Sequence, residues 1–283
     1  MEFTMYARFL QTLEAYGPEQ AAQRAKQMGF SSVEILETTD PGHPCVIPDV
    51  TAAKQVRRIF EAAGLRFACY SVGTNLYHNP QAEQSLCRHA EIASALGAPY
   101  LHHTSLPWLQ LDDQTPDFEQ AIETAADAAA RVARFAAPLG ITCIYEDQGM
   151  YVNGLTGFGR FFSEMKNRCH NVGICADVGN ILFVDEGPVP FFQKFHKDIC
   201  HVHLKDYLLK PGPQSPGLYW LPTKGGNWVR DTMVGHGVID LAGCIRVLKE
   251  TGYNGALALE LEHPEPFEEG VRQAMDYIGR FLQ

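Results

Sequence analysis

The stretch His201–Tyr207 reads HVHLKDY, and its alternation puts His201, His203 and Lys205 on one strand face, with Val202 and Leu204 on the other. Three further short runs close on a carboxylate in the same way. In ITCIYED the residues Thr142, Ile144 and Glu146 share a side, and in VGICADVGN the residues Gly173, Cys175 and Asp177 do. In ALALELE, Ala256, Ala258 and Glu260 share one face while Leu257, Leu259 and Leu261 take the other. A buried carboxylate without a countercharge is costly, so three in one mouth call for a cation. Oxygen ligands with one imidazole suit Mn²⁺, Mg²⁺, Co²⁺ or Zn²⁺. Any one of these residues alone reads as a strand end meeting solvent or capping the next helix. Their matching placement on four successive strands points to a metal site.

A metal that grips two neighbouring oxygens of a hydroxy-ketone polarises the carbonyl and acidifies the adjacent C–H. One carboxylate can then remove the proton and another return it. Return to the same carbon is epimerisation, and transfer to the neighbouring carbon is isomerisation. Expulsion of a β-hydroxyl is dehydration. The metal ligands do not choose among the three.

Other residues are candidates for touching the substrate. His102 and His103 are neighbours at a strand end, so one of them faces inward, and His103 is expected to. Glu34 could meet sugar hydroxyls or pair with a neighbour. Trp108 could stack on a sugar ring or simply pack. Lys205 could contact substrate or sit solvated at a rim, and His236 receives no role.

The elements that must position these groups follow a repeated strand–helix rhythm. Strands are predicted over 4–9, 31–36, 66–72, 100–104, 141–146, 173–177, 199–205 and 256–261. Helices are predicted over 18–28, 50–63, 81–96, 117–139, around 158–166, and over 189–195, 241–249 and 267–281. Gly29, Gly64, Gly97, Gly140 and Gly252 stand where a helix C-cap needs the left-handed conformation. Eight such units without a linker predict a single (β/α)8 TIM barrel domain over residues 1–283. An open doubly wound sheet is the runner-up, but no glycine fingerprint follows the first strand. Residues 208–237, rich in Gly, Pro and aromatics, interrupt the rhythm after the seventh strand. A loop this long reads as a substrate lid or a decorative or oligomer-contact segment.

Composition narrows the partners. The chain of 283 residues carries 33 acidic and 23 basic residues, a formal net charge of −10. No basic cluster offers a phosphate-backbone face, which speaks against nucleic acid. No run of about 18 apolar residues predicts a membrane span. The N-terminal stretch lacks a basic start followed by an apolar core, so no signal peptide and a cytoplasmic location are expected. The eight cysteines show no CxxC spacing and read as reduced core residues. A homo-oligomer is compatible with this composition.

GFSSVEI after the first helix, YED, CADVGN, HVHLKD, GHGVID and ALALELE span nearly the whole chain in order. In these motifs the chain resembles the xylose isomerase-like barrel superfamily, in its sugar phosphate isomerase/epimerase branch. The resemblance implies one divalent metal, Mn²⁺ before Mg²⁺, Co²⁺ or Zn²⁺, held by Glu146, Asp177, His203 and Glu260. It makes the second histidine of the HxH pair the ligand and Glu146 and Glu260 the acid/base pair. A ketose or other sugar- or polyol-derived hydroxy-ketone is the implied substrate, and isomerisation or epimerisation the implied reaction. Two features depart from the ketose 3-epimerase branch. Asn180 stands where that branch has histidine, and Leu208, Leu209 and Lys210 stand where it has an arginine. HLKD resembles the inosose dehydratase side, where Lys205 could polarise a carbonyl or bind a carboxylate or phosphate. A lyase of that kind is the alternative. An endonuclease IV-like nuclease is disfavoured by the −10 charge, and a non-catalytic sugar-binding barrel by the presence of both glutamates. No glycine-rich phosphate cradle is evident, which favours an unphosphorylated substrate.

Overall fold

The computed structural model describes residues 1–77, 79–106, 117–261 and 266–283. In chain order the strands are β1 (Glu2–Met5), β2 (Ser32–Thr38), β3 (Arg66–Gly73), β4 (Tyr100–His103), β5 (Thr142–Glu146), β6 (Val172–Asp177) and β7 (Ile199–Leu204). They continue with β8 (Asp206–Lys210), β9 (Leu221–Pro222), β10 (Trp228–Thr232) and β11 (Ala256–Leu259). The helices are α1 (Phe9–Gln27), α2 (Val50–Ala62), α3 (Pro80–Leu96), α4 (Phe118–Ala136), α5 (Gly159–Arg168), α6 (Pro188–Phe195), α7 (Leu241–Glu250) and α8 (Phe267–Leu282). Strands β1 to β7 and β11 close into a parallel barrel in the order β1-β11-β7-β6-β5-β4-β3-β2. The predicted (β/α)8 barrel is thus the observed architecture.

Alternation divides each strand between two environments. Residues such as Val33, Ile35, Leu101, Cys143, Ile174, Val202, Leu257 and Leu259 join the buried cluster shared with Phe9, Phe60, Leu86, Phe191, Ile245 and Ile278 of the helices. The α4 face is almost all alanine, buried from Ala121 to Ala136. A separate small cluster of Cys69, Ile144 and Cys175, with Tyr100 and Cys200 against it, is formed by inward residues of the strands. Gly173 leaves space for Cys200 in this cluster, because a Cβ there would overlap the Cys200 sulfur. All eight cysteines are free thiols. No described helix is long and apolar enough to cross a membrane.

All five predicted glycine caps have positive φ, from 71° at Gly64 to 91° at Gly29. Side-chain caps begin several helices: Asp49 accepts from the N–H groups of Thr51 and Ala52, and Asn79 from that of Ala82. The start of the chain differs from expectation. The first strand ends at Met5, and α1 begins at Phe9, after Arg8 in the left-handed region. Gly17 (φ 72°, ψ 171°) kinks α1 just before Pro18. Proline is favoured at a helix start, so the sequence signal marks the second segment and hides the first.

The long interruption after the seventh strand is ordered. β8, β10 and β9 form an antiparallel sheet, and its Tyr207 and Val229 pack with Met150 and Phe183. Two aspartates pin it. Asp206, the last acidic residue of HVHLKDY, accepts from the N–H groups of Tyr207, Gly235, Gly237 and Ile239 at 2.9, 2.9, 2.9 and 3.2 Å. Asp185 Oδ1 accepts from Thr223 Oγ1 at 2.7 Å and Asn227 Nδ2 at 2.8 Å, and its Oδ2 accepts from the Gly225 N–H. Leu218 and Tyr219, both 83% exposed, form the tip.

Gly237 has no room for a side chain, since a Cβ would overlap Asp206 Oδ1 and the Tyr207 carbonyl. Gly237→Ala should therefore loosen the segment and destabilise the protein by ~1–3 kcal/mol, the usual cost of overpacking, with faster proteolysis at residues 208–237. Unchanged protease resistance and melting temperature would rule this out. A second prediction concerns acid. His89 of α3 is buried against Tyr70, whose hydroxyl lies 3.0 Å from its Nδ1, and burial lowers its pKa to about 4. The unfolded chain binds that proton near pH 6.5. The stability held by the neutral ring is therefore complete above about pH 6.5 and lost as pH falls towards 4. Urea unfolding at pH 7.5 and 5 should show His89→Asn losing less stability than wild type, by on the order of 1–2 kcal/mol. Identical losses would contradict it.

Candidate metal centre and active site

Four strand ends converge at one mouth of the barrel. Glu146 ends β5, Asp177 ends β6, His203 lies near the end of β7, and Glu260 follows β11 directly. One ligand atom of each lies within 4.8 Å of the others. Register explains the meeting. Asp177 is level with His203, and Glu260 stands one two-residue step beyond Ala258, which is also level with His203. The small residues Ala256 and Ala258 keep the β11 side of the interior open.

The His203 ring is fully buried and stacks on Tyr6 with centroids 4.5 Å apart and planes 22° apart. Its Nδ1 lies 2.8 Å from Glu146 Oε1 and 3.5 Å from Glu260 Oε2. Its Nε2 lies 3.1 Å from Glu34 Oε1. Burial acts to raise the Glu146 pKa, but His203, His102 and Lys205 together outweigh it and hold the group down to about 2. Asp177 behaves oppositely. Burial, with repulsion from Glu146 and Glu260, pushes it up to about 7 despite Lys205.

Asp177 Oδ1 accepts from the N–H groups of Gly179 and Asn180 at 2.7 and 2.6 Å. Its Oδ2 is buried without a hydrogen-bond partner and faces Lys205 Nζ at 3.3 Å. Three carboxylates, one with an orphaned oxygen, and one imidazole nitrogen within one small space fit a hard or borderline divalent cation. Glu146, Asp177, His203 and Glu260 are the residues that would hold it.

Lys205 is not a solvated rim residue. It is 5% exposed, with Nζ 2.7 Å from Glu260 Oε1 and 3.1 Å from Asn180 Oδ1. Gly179 of CADVGN makes this burial possible, since a Cβ there would meet Lys205 Cγ at 2.6 Å and the Tyr207 ring at 2.8 Å. Asn180, where a histidine would mark the ketose 3-epimerase pattern, is thus the partner of this lysine.

The other expected substrate contacts fall elsewhere. His102, and not His103, faces the barrel interior. Its register partners are Ser71 and Ile144, both inward residues, and its Nδ1 lies 2.9 Å from Ser71 Oγ. His102 Nε2 sits 3.6 Å from Glu146 Oε2, and burial lowers the His102 pKa to about 4. His103 turns to the helix layer, edge-on to Tyr145 at 5.1 Å, with Nδ1 3.0 Å from the Thr104 carbonyl oxygen. Glu34 is fully buried below the mouth, with Oε2 2.6 Å from His201 Nε2 and Oε1 at His203. Trp108 lies outside the described residues. Tyr6 and Ser71 escape sequence reasoning, because an aromatic and a serine within predicted strands carry no chemical signature of their own.

Comparison with known proteins bears on the fold and the family. Inosose dehydratase of Klebsiella pneumoniae (strain 342) is 29% identical over 182 residues, which is 59% of this chain and 58% of that protein. The chain therefore spans less than two thirds of that relative's length. Inosose dehydratase of Klebsiella pneumoniae subsp. pneumoniae is 26% identical over 234 residues, 74% of this chain and 75% of that protein. The crystal structure of a D-allulose 3-epimerase from Methylomonas sp. superposes with a TM-score of 0.74 at 18% identity, covering 99% of this chain and 98% of that one. D-Psicose 3-epimerase from Clostridium cellulolyticum H10 gives 0.73 at 15% identity, covering 100% of both chains. At these identities the structural likeness establishes the fold. Residues 22–281 match the family described as the xylose isomerase-like TIM barrel, and the chain belongs to that family.

Proposed function

We propose that the protein is a divalent-metal-dependent isomerase or epimerase of a ketose or sugar-like hydroxy-ketone. The observation that carries this reading is the approach of two carboxylates from separated strands to one nitrogen. Glu146 Oε1 and Glu260 Oε2 lie 2.8 and 3.5 Å from His203 Nδ1, and β6 and β7 stand between their strands in the barrel. The ion held by Glu146, Asp177, His203 and Glu260 would supply electrophilic polarisation of a substrate carbonyl. Glu146 and Glu260 reach the site from separate strands, so one would take the proton from the adjacent carbon and the other would deliver one. Lys205 holds a compensating positive charge beside Glu260. Mn²⁺ is the ion proposed, with a small sugar or polyol-derived molecule as substrate.

A second reading, dehydration, is favoured by one observation. Lys205 Nζ stands 2.7 Å from Glu260 Oε1, a charged N–H donor beside an acid/base carboxylate. Such a donor can protonate a departing β-hydroxyl after the α-proton has been removed. The similarity to inosose dehydratases supports the same reading.

The two readings separate in one experiment. With Mn²⁺ in deuterated water, ketoses and inososes are screened by mass spectrometry. Isomerisation or epimerisation incorporates deuterium without loss of water, while dehydration yields a product lighter by one water. Glu146→Gln and Glu260→Gln should each lower turnover by about 10²–10⁴-fold, the range for a general acid or base. His203→Ala should abolish stoichiometric Mn²⁺ binding, read by equilibrium dialysis. Full activity in both glutamine variants would defeat the acid/base assignment. Lys205→Met should suppress dehydration more than it suppresses α-proton exchange if the second reading holds, whereas equal losses would dismiss it.

A further inference from the structure

We infer that Glu34 is a positioning residue that decides which nitrogen of His203 faces the candidate metal centre, a role that rests on Glu146, Asp177, His203 and Glu260 holding a divalent ion. Glu34 comes from β2 and is completely buried. Its Oε2 lies 2.6 Å from His201 Nε2 and its Oε1 lies 3.1 Å from His203 Nε2. Ser71 Oγ also hydrogen-bonds to Oε1. A carboxylate only accepts, so both Nε2 atoms and the serine hydroxyl must donate to it.

The consequence follows from counting protons. An imidazole that ligates a metal is neutral and has one ring proton. With that proton on Nε2, His203 keeps its lone pair on Nδ1, the atom 2.8 Å from Glu146 Oε1 and 3.5 Å from Glu260 Oε2. A lone pair aimed at two carboxylate oxygens is unfavourable until a cation stands among them. Tyr6, stacked on the ring at 4.5 Å, fixes its plane. Glu34 reaches a second ring through Ser71. Because the hydroxyl proton goes to Glu34, Ser71 Oγ accepts from His102 Nδ1–H at 2.9 Å, and His102 Nε2 is left facing Glu146 Oε2 at 3.6 Å. One carboxylate therefore orients both imidazoles that flank Glu146. Partners of this kind behind a metal ligand typically contribute 10–100-fold in affinity.

Glu34→Gln is nearly isosteric but cannot serve all three donors. Its amide nitrogen would donate to one of the two imidazoles, forcing that ring to accept at Nε2 and to carry its proton on Nδ1, and Glu34→Ala, which removes the acceptor from His203 in either case, is titrated beside it. The test is Mn²⁺ titration of the wild type and Glu34→Gln by electron paramagnetic resonance, with the melting temperature of each metal-free protein recorded alongside. The expected result is binding weakened about 10–100-fold in a variant that still folds. Equal affinity of the wild type and Glu34→Ala would overturn the inference. Failure of the wild type to bind Mn²⁺ would instead remove the metal reading itself. Should the variant not fold, the Zn²⁺-loaded wild type with ¹⁵N-labelled histidine decides the matter. Long-range proton–nitrogen correlations should show His203 protonated on Nε2, and a proton-free Nε2 would refute the role of Glu34.

Discussion

Charge burial governs this molecule. Glu34, Glu146 and Asp177 are removed from water inside one barrel mouth, with Glu260 nearly so. Isolated carboxylates in such surroundings would be prohibitive, so each has acquired a specific answer. Glu34 has two imidazoles and a hydroxyl. Asp177 has two backbone N–H groups on one oxygen, and Glu260 has the ammonium of Lys205. A small-residue side of the interior and a glycine beside Lys205 keep the space in which those answers fit. The aliphatic packing of the helices onto the outer strand faces holds the frame still while this happens.

Much of this is legible in the sequence because period-two alternation holds towards the carboxyl ends of the barrel strands, past the register shifts at Val33/Glu34 and Ile174/Cys175. Glu146, Asp177, His203 and Glu260 align on inner faces from their spacing alone, and the glycine caps set the rhythm of the units. His103 is the wrong choice of its pair because two histidines in a row leave the inward one to register, and register depends on Ser71 and Ile144 in neighbouring strands. Glu34 is hidden differently: its face is readable, but its depth is not. Depth in a barrel is set by strand stagger, which no single strand records. Lys205 reads as a rim residue because lysines mostly are, and the space beside Gly179 is a property of a different loop.

The segment after β7 shows how one residue type can serve two ends of a motif. HVHLKDY carries a site histidine and a buried lysine, yet its aspartate faces away from that chemistry. Asp206 gathers four backbone N–H groups and thereby turns the chain from the barrel into the β8–β10–β9 sheet. The glycines of GHG follow from that demand, one for its backbone conformation (Gly235, φ 94°) and one for lack of space. An apparent loop motif is therefore the complement of a strand motif nearly thirty residues earlier.

The gap at Gly179 has an evolutionary corollary. The stem of Lys205 occupies the volume that any larger residue at position 179 would claim. Neither position can drift alone: a side chain at 179 evicts the lysine, and a lysine at 205 requires a glycine at 179. Asn180, bonded to the same ammonium, ties a third position to the pair. Among relatives of this chain the three should be inherited as a set, so that the identity at any one of them reports whether a cation or another group guards the fourth carboxylate.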